Sequence, residues 1–146
     1  MPWDIPPSFS FAVTVESADV DGLDHCNNVS YLRWLEQAAW QHSIELGLDL
    51  EAYKRLDRAM VVRRHELDYL GAAYLDDELI VGTWLHENDG KLSLWRKYQI
   101  IRPRDSMVLI RATTHFVCAE LSSGKPKRQP EEFLKAYASL SSRGTK

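Results

Sequence analysis

The sequence predicts an α+β domain in which one long helix lies beside an antiparallel sheet of about five strands. Three observations support this prediction: an alternating apolar pattern near the N-terminus, one long segment with helical spacing, and several β-rich segments separated by turns. A chain of 146 residues is long enough for one hydrophobic core but short for two. No repeat or linker divides it, so we expect a single domain over residues 1–146.

The first strand and the long helix are the clearest elements. Aromatic and β-branched residues alternate with smaller or polar ones from Phe9 to Val15, as in a half-buried strand. From residue 29 to about Gly47, apolar side chains recur every three or four residues, which predicts one face of a helix. These residues are Tyr31, Leu32, Trp34, Leu35, Ala38, Ala39, His42 and Leu46. We expect Gly47 to cap this helix and Leu50 to Leu56 to form a short second one.

Four β-rich segments and a short last helix complete the predicted order. The segments are Ala59 to Leu70, Leu79 to Leu85, Leu92 to Ile101 and Met107 to Leu121. The polar run at residues 87–91 predicts a hairpin turn, and residues 103–106 break the chain again. Pro130 is expected to open a helix that ends near Tyr137. A single sheet leaves a strand edge exposed, and pairing with a second subunit would cover it.

Composition and charge exclude several classes of function. A net charge of −3 argues against a nucleic-acid partner, and no apolar run is long enough to span a membrane. Cys26 and Cys118 are the only cysteines, without zinc-like spacing, which favours a reducing compartment. No signal peptide is visible at the N-terminus. We therefore expect a soluble cytoplasmic protein with no metal and no cofactor.

The loop at residues 19–28 carries the most chemistry in the chain. Its ten residues include three carboxylates, one imidazole and two carboxamides: Asp19, Asp21, Asp24, His25, Asn27 and Asn28. The long helix begins directly after it, and the free backbone N–H groups of a helix N-terminus can bind developing negative charge. This combination predicts an active-site loop.

The loop and the helix together resemble the hotdog-fold acyl-CoA thioesterases, in the 4-hydroxybenzoyl-CoA thioesterase-like branch. The resemblance rests on a D-x-D…H-x-N-N-x-x-Y-x-x-W-x-E run, here Asp19, Asp21, His25, Asn27, Asn28, Tyr31, Trp34 and Glu36. The order of strand, helix and four strands is also that of the family. The segment Tyr69 to Leu79 is similar to the family's passage between its second and third strands. Relatives commonly carry glycine where this chain has Asp24.

The resemblance implies a function and roles for individual residues. Thioester hydrolysis needs a carboxylate that attacks the carbonyl or activates water, and donors for the oxyanion. By resemblance Asp21 is that carboxylate, and the Asn28 backbone N–H is the oxyanion donor. His25 and Asn27 would orient the thioester, and Tyr31 would contact the substrate. The substrate would be an acyl-CoA, and the site would lie at a subunit interface of a homodimer or a dimer of dimers.

Other interpretations of the same residues stay open. Asp21 before Gly22 is typical of a turn residue that bonds its own backbone. Asn27 and Asn28 suit a helix N-cap, and we favour Asn28 as the cap. Glu36, about two turns into the helix, is the rival catalytic carboxylate, as in another branch of hotdog thioesterases. Cys26 is equally a small apolar filler.

Binding of the CoA phosphates requires locally clustered basic groups in an acidic protein. Lys125, Lys127 and Arg128 are the favoured cluster because they follow the last strand. The pairs Arg63 and Arg64, Arg96 and Lys97, and Arg102 and Arg104 are further candidates.

Two alternative functions and the choice of acyl group also remain open. The protein could be a non-catalytic acyl-CoA binding or sensing module, or a hydro-lyase on the same fold. The acyl group could be aryl, aliphatic or cationic, because pocket shape decides this. A pocket lined by tryptophan with Asp24 nearby would suit a cationic group through cation–π contact.

Overall fold

The computed structural model describes residues 2–139, which form one antiparallel sheet and three helices. The strands are β1 (Phe9–Thr14), β2 (Arg58–Tyr69), β3 (Glu78–Asn88), β4 (Ser93–Arg102) and β5 (Met107–Glu120). The helices are α1 (Asn28–Glu45), α2 (Leu50–Leu56) and α3 (Glu131–Ala136), with a 3-10 turn at Ser17–Asp19. The predicted α+β class, the element order and the short last helix are confirmed.

The sheet has the strand order β1-β3-β4-β5-β2, and every neighbouring pair is antiparallel. Hairpins join β3 to β4 and β4 to β5. Strands β1 and β2 lie at opposite edges of the sheet, and the chain between them forms helices α1 and α2. Strand β2 pairs with β5 from Arg58↔Glu120 to Tyr69↔Ile110, and no other strand within residues 2–139 pairs with its outer edge. A long unpaired edge is a template for pairing with another chain.

Helix α1 is covered by the sheet on one face. Tyr31, Trp34, Leu35 and Ala38 are buried in one core cluster with residues of β3, β4 and β5. The predicted helical face is therefore confirmed. The helix ends at Glu45, and Gly47 follows the cap in a left-handed conformation (φ 90°), which glycine adopts without a Cβ penalty.

A second core cluster joins α2 and α3 to the far ends of β4 and β5. Its polar centre is the Tyr137 hydroxyl, which lies 2.6 Å from the Tyr53 hydroxyl and 2.9 Å from the Ser43 hydroxyl. All three side chains are buried. These bonds tie the last helix to α1 and α2.

The β3–β4 hairpin begins later than the sequence predicted. The third strand was expected to end at Leu85, but β3 continues to Asn88 past a bulge between Leu85 and Glu87. A bulge inserts one residue without ending the ladder, which lets the exposed His86 and Glu87 remain in the strand. The turn itself is held by Asp89, whose Oδ1 accepts backbone N–H bonds from residues 91, 92 and 93.

Replacing Tyr137 by phenylalanine tests the polar centre of the second cluster. The change removes one hydroxyl and leaves the Tyr53 and Ser43 hydroxyls buried without that partner. We expect the free energy of unfolding to fall by about 1–3 kcal/mol. Urea denaturation measures this, and Tyr74→Phe, at an exposed tyrosine, is the control. An unchanged midpoint for Tyr137→Phe would contradict this assignment.

Candidate active site

Asp19 organises the start of the loop from a buried position. Its Oδ1 accepts hydrogen bonds from Ser30 Oγ at 2.9 Å and Arg33 Nη2 at 2.6 Å, both on α1. Its Oδ2 accepts the Glu16 backbone N–H at 3.0 Å, and its carbonyl accepts the Asn27 N–H at 2.8 Å. Burial alone would raise the pKa of the Asp19 carboxyl, but these donors outweigh burial and hold the pKa below its ordinary value. Asp19 is thus structural.

Asp21 lies at the first position of a tight turn and is exposed. Its Oδ1 accepts backbone N–H bonds from Leu23 at 2.8 Å and His25 at 3.3 Å, while its carbonyl accepts the Asp24 N–H. These are the bonds of an aspartate that shapes its own turn. Within residues 2–139 its Oδ2 accepts no hydrogen bond, so half of the carboxylate remains available for chemistry.

Asp24 has a left-handed backbone (φ 62°). Glycine adopts this conformation without strain, and aspartate is one of the few other residues that tolerate it. The backbone geometry thus gives a physical reason for the glycine that relatives commonly carry here.

His25 and Cys26 fix the second half of the loop against the segment after β2. The His25 ring packs edge-on against Tyr74 with centroids 5.2 Å apart, and the two residues form an isolated β-bridge. The Cys26 N–H donates to the Ala73 carbonyl at 2.9 Å. Burial raises the pKa of the Cys26 thiol to about 11, so it is protonated near neutral pH and is not a nucleophile.

The N-terminus of α1 is capped by Asn27 and not by Asn28, so our prediction of Asn28 as the cap was wrong. The Asn27 Oδ1 accepts the Ser30 N–H at 2.8 Å. Asn27 has the extended backbone that a cap requires (ψ 153°), whereas Asn28 is already the first helical residue. At this first position the backbone N–H has no acceptor within the helix, so the Asn28 N–H is suited to bind an anion.

Tyr31 supports the site wall from α1. Its buried hydroxyl accepts the Ala73 N–H at 2.9 Å, and burial raises its pKa to about 12. The Ala73 carbonyl accepts the Cys26 N–H, so Ala73 is bonded to both the loop and α1 and connects them to the segment after β2. Tyr31 also lines an open cavity at the start of α1, but its hydroxyl already accepts the Ala73 N–H.

The segment after β2 is anchored from the opposite side by Arg102. Its guanidinium donates to Asp77 Oδ2 at 2.9 Å, to both Asp105 oxygens and to the Ala72 carbonyl at 3.1 Å. Both Arg102 and Asp77 are buried, and a paired buried arginine of this kind holds structure in place. Arg102 is therefore not available for phosphate binding.

These contacts form an open cavity of about 400 Å³ at the start of α1. Of the predicted site residues it brings together Asp21, His25, Asn28 and Tyr31, and Cys26 lies beside them. Its opposite wall consists of Tyr69, Leu70, Gly71 and Ala72, which the sequence analysis did not assign to the site. The resemblance of Tyr69 to Leu79 to the family's interstrand passage was the available signal for them.

Glu36 lies outside this cavity. It lies eight positions after Asn28, about 12 Å along the helix. Its side chain is exposed, with Oε2 3.9 Å from His65 Nε2, and it lines a different cavity between α1 and β2. The two candidate carboxylates therefore occupy separate sites within one chain.

Lys125, Lys127 and Arg128 are also remote from Asp21 in the same chain. They follow β5, where the Arg128 carbonyl accepts a bond from Arg58 and Lys127 pairs with Glu120 at 2.7 Å. The Asp21 cavity lies instead near Tyr69, at the other end of β2. Eleven residues of extended strand separate Arg58 from Tyr69, about 36 Å.

A family model for the thioesterase-like superfamily matches residues 15–137. The chain belongs to this superfamily. Its matched region includes the whole loop, α1 and all strands except β1. The predicted family and the hotdog fold are confirmed.

Individual members of the thioesterase-like superfamily support the same class. Acyl-CoA thioesterase YbgC of Haemophilus influenzae is 30% identical over 133 residues, covering 90% of this chain and 96% of that protein. Long-chain acyl-CoA thioesterase FadM of Escherichia coli is 27% identical over 113 residues, covering 77% and 84%. A 1,4-dihydroxy-2-naphthoyl-CoA thioesterase structure from Synechocystis is 23% identical with a TM-score of 0.79, covering 91% of this chain and 97% of that one. The Haemophilus influenzae and Escherichia coli relatives support the predicted enzyme class, thioesterase, and the Synechocystis structure supports the fold.

Residues 2–139 contain neither a candidate membrane-spanning helix nor a candidate metal-binding group. No helix there combines the length and hydrophobicity that crossing a membrane requires. Histidine, cysteine and acidic side chains form no group of three or more that could hold a metal ion in that range.

Replacing Asp19 by asparagine tests the organising role of its carboxylate. The folded-state pKa of Asp19 lies below its unfolded value, so its ionised form stabilises the protein above that unfolded value, and this contribution is lost as the pH falls through the folded-state pKa. We expect the variant to be less stable by about 1–3 kcal/mol at pH 7. The difference should narrow below about pH 4. Denaturation at several pH values measures it, with Asp24→Asn as the exposed control; a constant difference contradicts the assignment.

Proposed function

We propose that this protein is an acyl-CoA thioesterase that hydrolyses an acyl-CoA to the free acid and CoA. The observation that carries the proposal is that Asp21 and the N-terminus of α1 line the same open cavity. A carboxylate and a backbone N–H at a helix N-terminus are the two elements that thioester hydrolysis requires. Family membership and the relatives' names support the choice of thioester.

In this proposal each loop residue has a distinct task. The free Oδ2 of Asp21 either takes a proton from water or attacks the thioester carbonyl. The Asn28 N–H and the positive end of the α1 dipole stabilise the oxyanion. His25, whose ring is held by Tyr74, orients the thioester. The Asn27 side chain is engaged in capping, so its contribution is to place the Asn28 N–H.

We propose further that the active protein is a dimer built through the β2 edges. Two β2 strands can pair in antiparallel orientation about a two-fold axis. A register that sets Arg63 opposite the partner's Glu66 forms two opposite-charge pairs, which favours it over registers that oppose arginines. The same register sets Tyr69 opposite the partner's Met60. The Asp21 cavity of one subunit then lies beside the partner's Arg58 end, where its basic segment 125–128 is attached.

This arrangement would resolve the separation of the predicted CoA-binding residues. Within one chain Lys125, Lys127 and Arg128 lie at the wrong end of β2 for Asp21. Across the proposed interface they would flank the Asp21 cavity and could bind the CoA phosphates. A dimer of dimers would preserve the same interface. The cytoplasmic location of the protein remains a prediction.

Replacing Asp21 by asparagine tests the proposed catalyst. The asparagine retains an oxygen for the turn but cannot act as base or nucleophile, so we expect kcat to fall at least about a hundredfold with KM little changed. Thiol release from a panel of acyl-CoAs measures this. Asp24→Asn, at an exposed carboxylate of the same loop, is the matched control and should retain activity, and Glu36→Gln tests the rival carboxylate on α1. A loss only in Glu36→Gln transfers the role to Glu36, and no release by the wild type favours a binding module.

Subunit complementation tests the shared site. Asp21→Asn is mixed after unfolding and refolding with a variant in which Lys127 and Arg128 are both glutamate. Half of the random dimers are hybrids, and each hybrid would contain one intact site. We therefore expect roughly a quarter of wild-type activity to return from two weakly active parents. No recovery, with hybrids verified by native mass spectrometry, would place both groups on one chain.

A further inference from the structure

A second cavity, of about 120 Å³, lies between α1 and the β4–β5–β2 part of the sheet. It is distinct from the Asp21 cavity and shares no lining residue with it. Its wall is largely apolar and aromatic, and includes Ala39, Trp40, Met60, Val62 and Phe116. An apolar cavity of roughly 150 Å³ holds the six carbons of benzene, so one of about 120 Å³ fits about five carbons, which is the part of a six-carbon acyl group beyond its thioester carbonyl.

Arg96 also lines this cavity, and its buried charge has no counter-charge paired with it among residues 2–139. Only 1% of its surface is exposed, and it makes no ion pair within residues 2–139. Its Nη1 donates to His42 Nδ1 at 2.8 Å and to Thr83 Oγ1 at 3.2 Å. Its Nε is buried and has no acceptor among the described residues. A buried cation is costly unless it is paired, and an unsatisfied donor on that cation needs an explanation.

The groups around Arg96 do not neutralise it. Burial and the Arg96 charge lower the pKa of His42 to about 4, so its imidazole is neutral and accepts at Nδ1. Burial raises the pKa of the neighbouring Tyr53, Tyr98 and Tyr137 hydroxyls, so they are neutral as well. Arginine remains protonated in proteins. The inner part of the cavity therefore carries a positive charge, whereas the Glu36 carboxylate on the same cavity wall is exposed and lies 3.9 Å from His65 Nε2.

We propose that this cavity binds a short acyl group that ends in a carboxylate, and that Arg96 pairs with that carboxylate. The proposal rests on the proposed thioesterase function and names its substrate class. A guanidinium binds a carboxylate with charge-assisted hydrogen bonds, which are stronger in an apolar surrounding. The same charge excludes a cationic acyl group, which the tryptophan content had left open.

The cavity is placed to receive an acyl chain whose thioester carbonyl lies at the Asp21 cavity of the partner subunit. Its lining includes Glu36 on α1 and Met60 and Val62 on β2. In the proposed dimer, Met60 lies opposite the partner's Tyr69, next to the partner's Asp21 cavity. The thioester carbonyl would then lie at the partner's Asp21 cavity, with the far end of the acyl group at Arg96.

The substrate preference of wild type and Arg96→Met tests this assignment. Adipyl-CoA and hexanoyl-CoA carry six-carbon acyl groups that differ in their terminal carboxylate. We expect wild type to favour adipyl-CoA in kcat/KM by at least about tenfold, and Arg96→Met to lose that preference. Arg96→Lys should retain part of it. Arg111→Met, which removes a surface guanidinium paired with Asp4, is the matched control and should preserve it. A wild-type ratio near one, or a ratio that Arg96→Met leaves unchanged, overturns the proposal.

A binding measurement separates this proposal from the proposed function. Hexanoate carries an anionic end and 1-hexanol does not. Hexanoate should therefore raise the Tm of the wild type by pairing with Arg96, and 1-hexanol should leave the Tm unchanged. The Tm shift with hexanoate should vanish in Arg96→Met. It should also vanish in Ala39→Leu, which fills the cavity and leaves the Arg96 guanidinium in place. The second variant keeps the test valid if Arg96→Met does not fold.

The two measurements fail in different ways. If neither thioester is cleaved but hexanoate stabilises the protein through Arg96, the thioesterase function fails and the anion site stands. If both thioesters are cleaved without preference, the thioesterase function stands and the proposed carboxylate site at Arg96 is wrong. An equal Tm shift with chloride would identify an inorganic anion site and overturn the acyl assignment.

Discussion

The burial of one face of α1 by a single sheet is the constraint on which the rest of the structure depends. Aromatic and aliphatic side chains on this face, such as Tyr31 and Trp34, remove a large apolar area from water only while the sheet covers them. Covering the helix requires a broad sheet, and the chain between β1 and β2 must cross from one edge to the other. Consequently β2 remains an open edge, and the N-terminus of α1 emerges beside its end.

Buried polar groups then fix the loop that the helix carries. Asp19 joins the loop to Ser30 and Arg33 on α1, and Ala73 joins it to Tyr31 and Cys26. Each of these bonds has at least one buried partner, such as Asp19 or Tyr31, and breaking it would leave a buried donor or acceptor unpaired. They leave the Asp21 Oδ2 and the Asn28 N–H uncommitted. The rigid part of the loop thus supports the part that is free for chemistry.

Two buried arginines show how the same residue type serves different purposes. Arg102 is surrounded by the carboxylates of Asp77 and Asp105, so its charge is balanced within the chain. Arg96 contacts neutral His42 and Thr83 and has an orphaned Nε among the described residues. The first arginine locks the wall of the Asp21 cavity. The second leaves a positive charge facing a second cavity, which is the physical basis for inferring an anionic acyl group.

The sequence by itself determined the element types, the loop that carries the chemistry and the superfamily, because local periodicity and a contiguous motif encode them. It also identified the buried face of α1. Only the tertiary structure decided that Asn27 rather than Asn28 caps the helix, which depends on backbone angles at one residue. It likewise decided that Glu36 and the basic segment 125–128 lie away from Asp21, and that Arg96 is buried and forms no ion pair with the rest of the described chain. These facts depend on strand register and on contacts between residues far apart in the chain, and residue spacing along the sequence does not specify them.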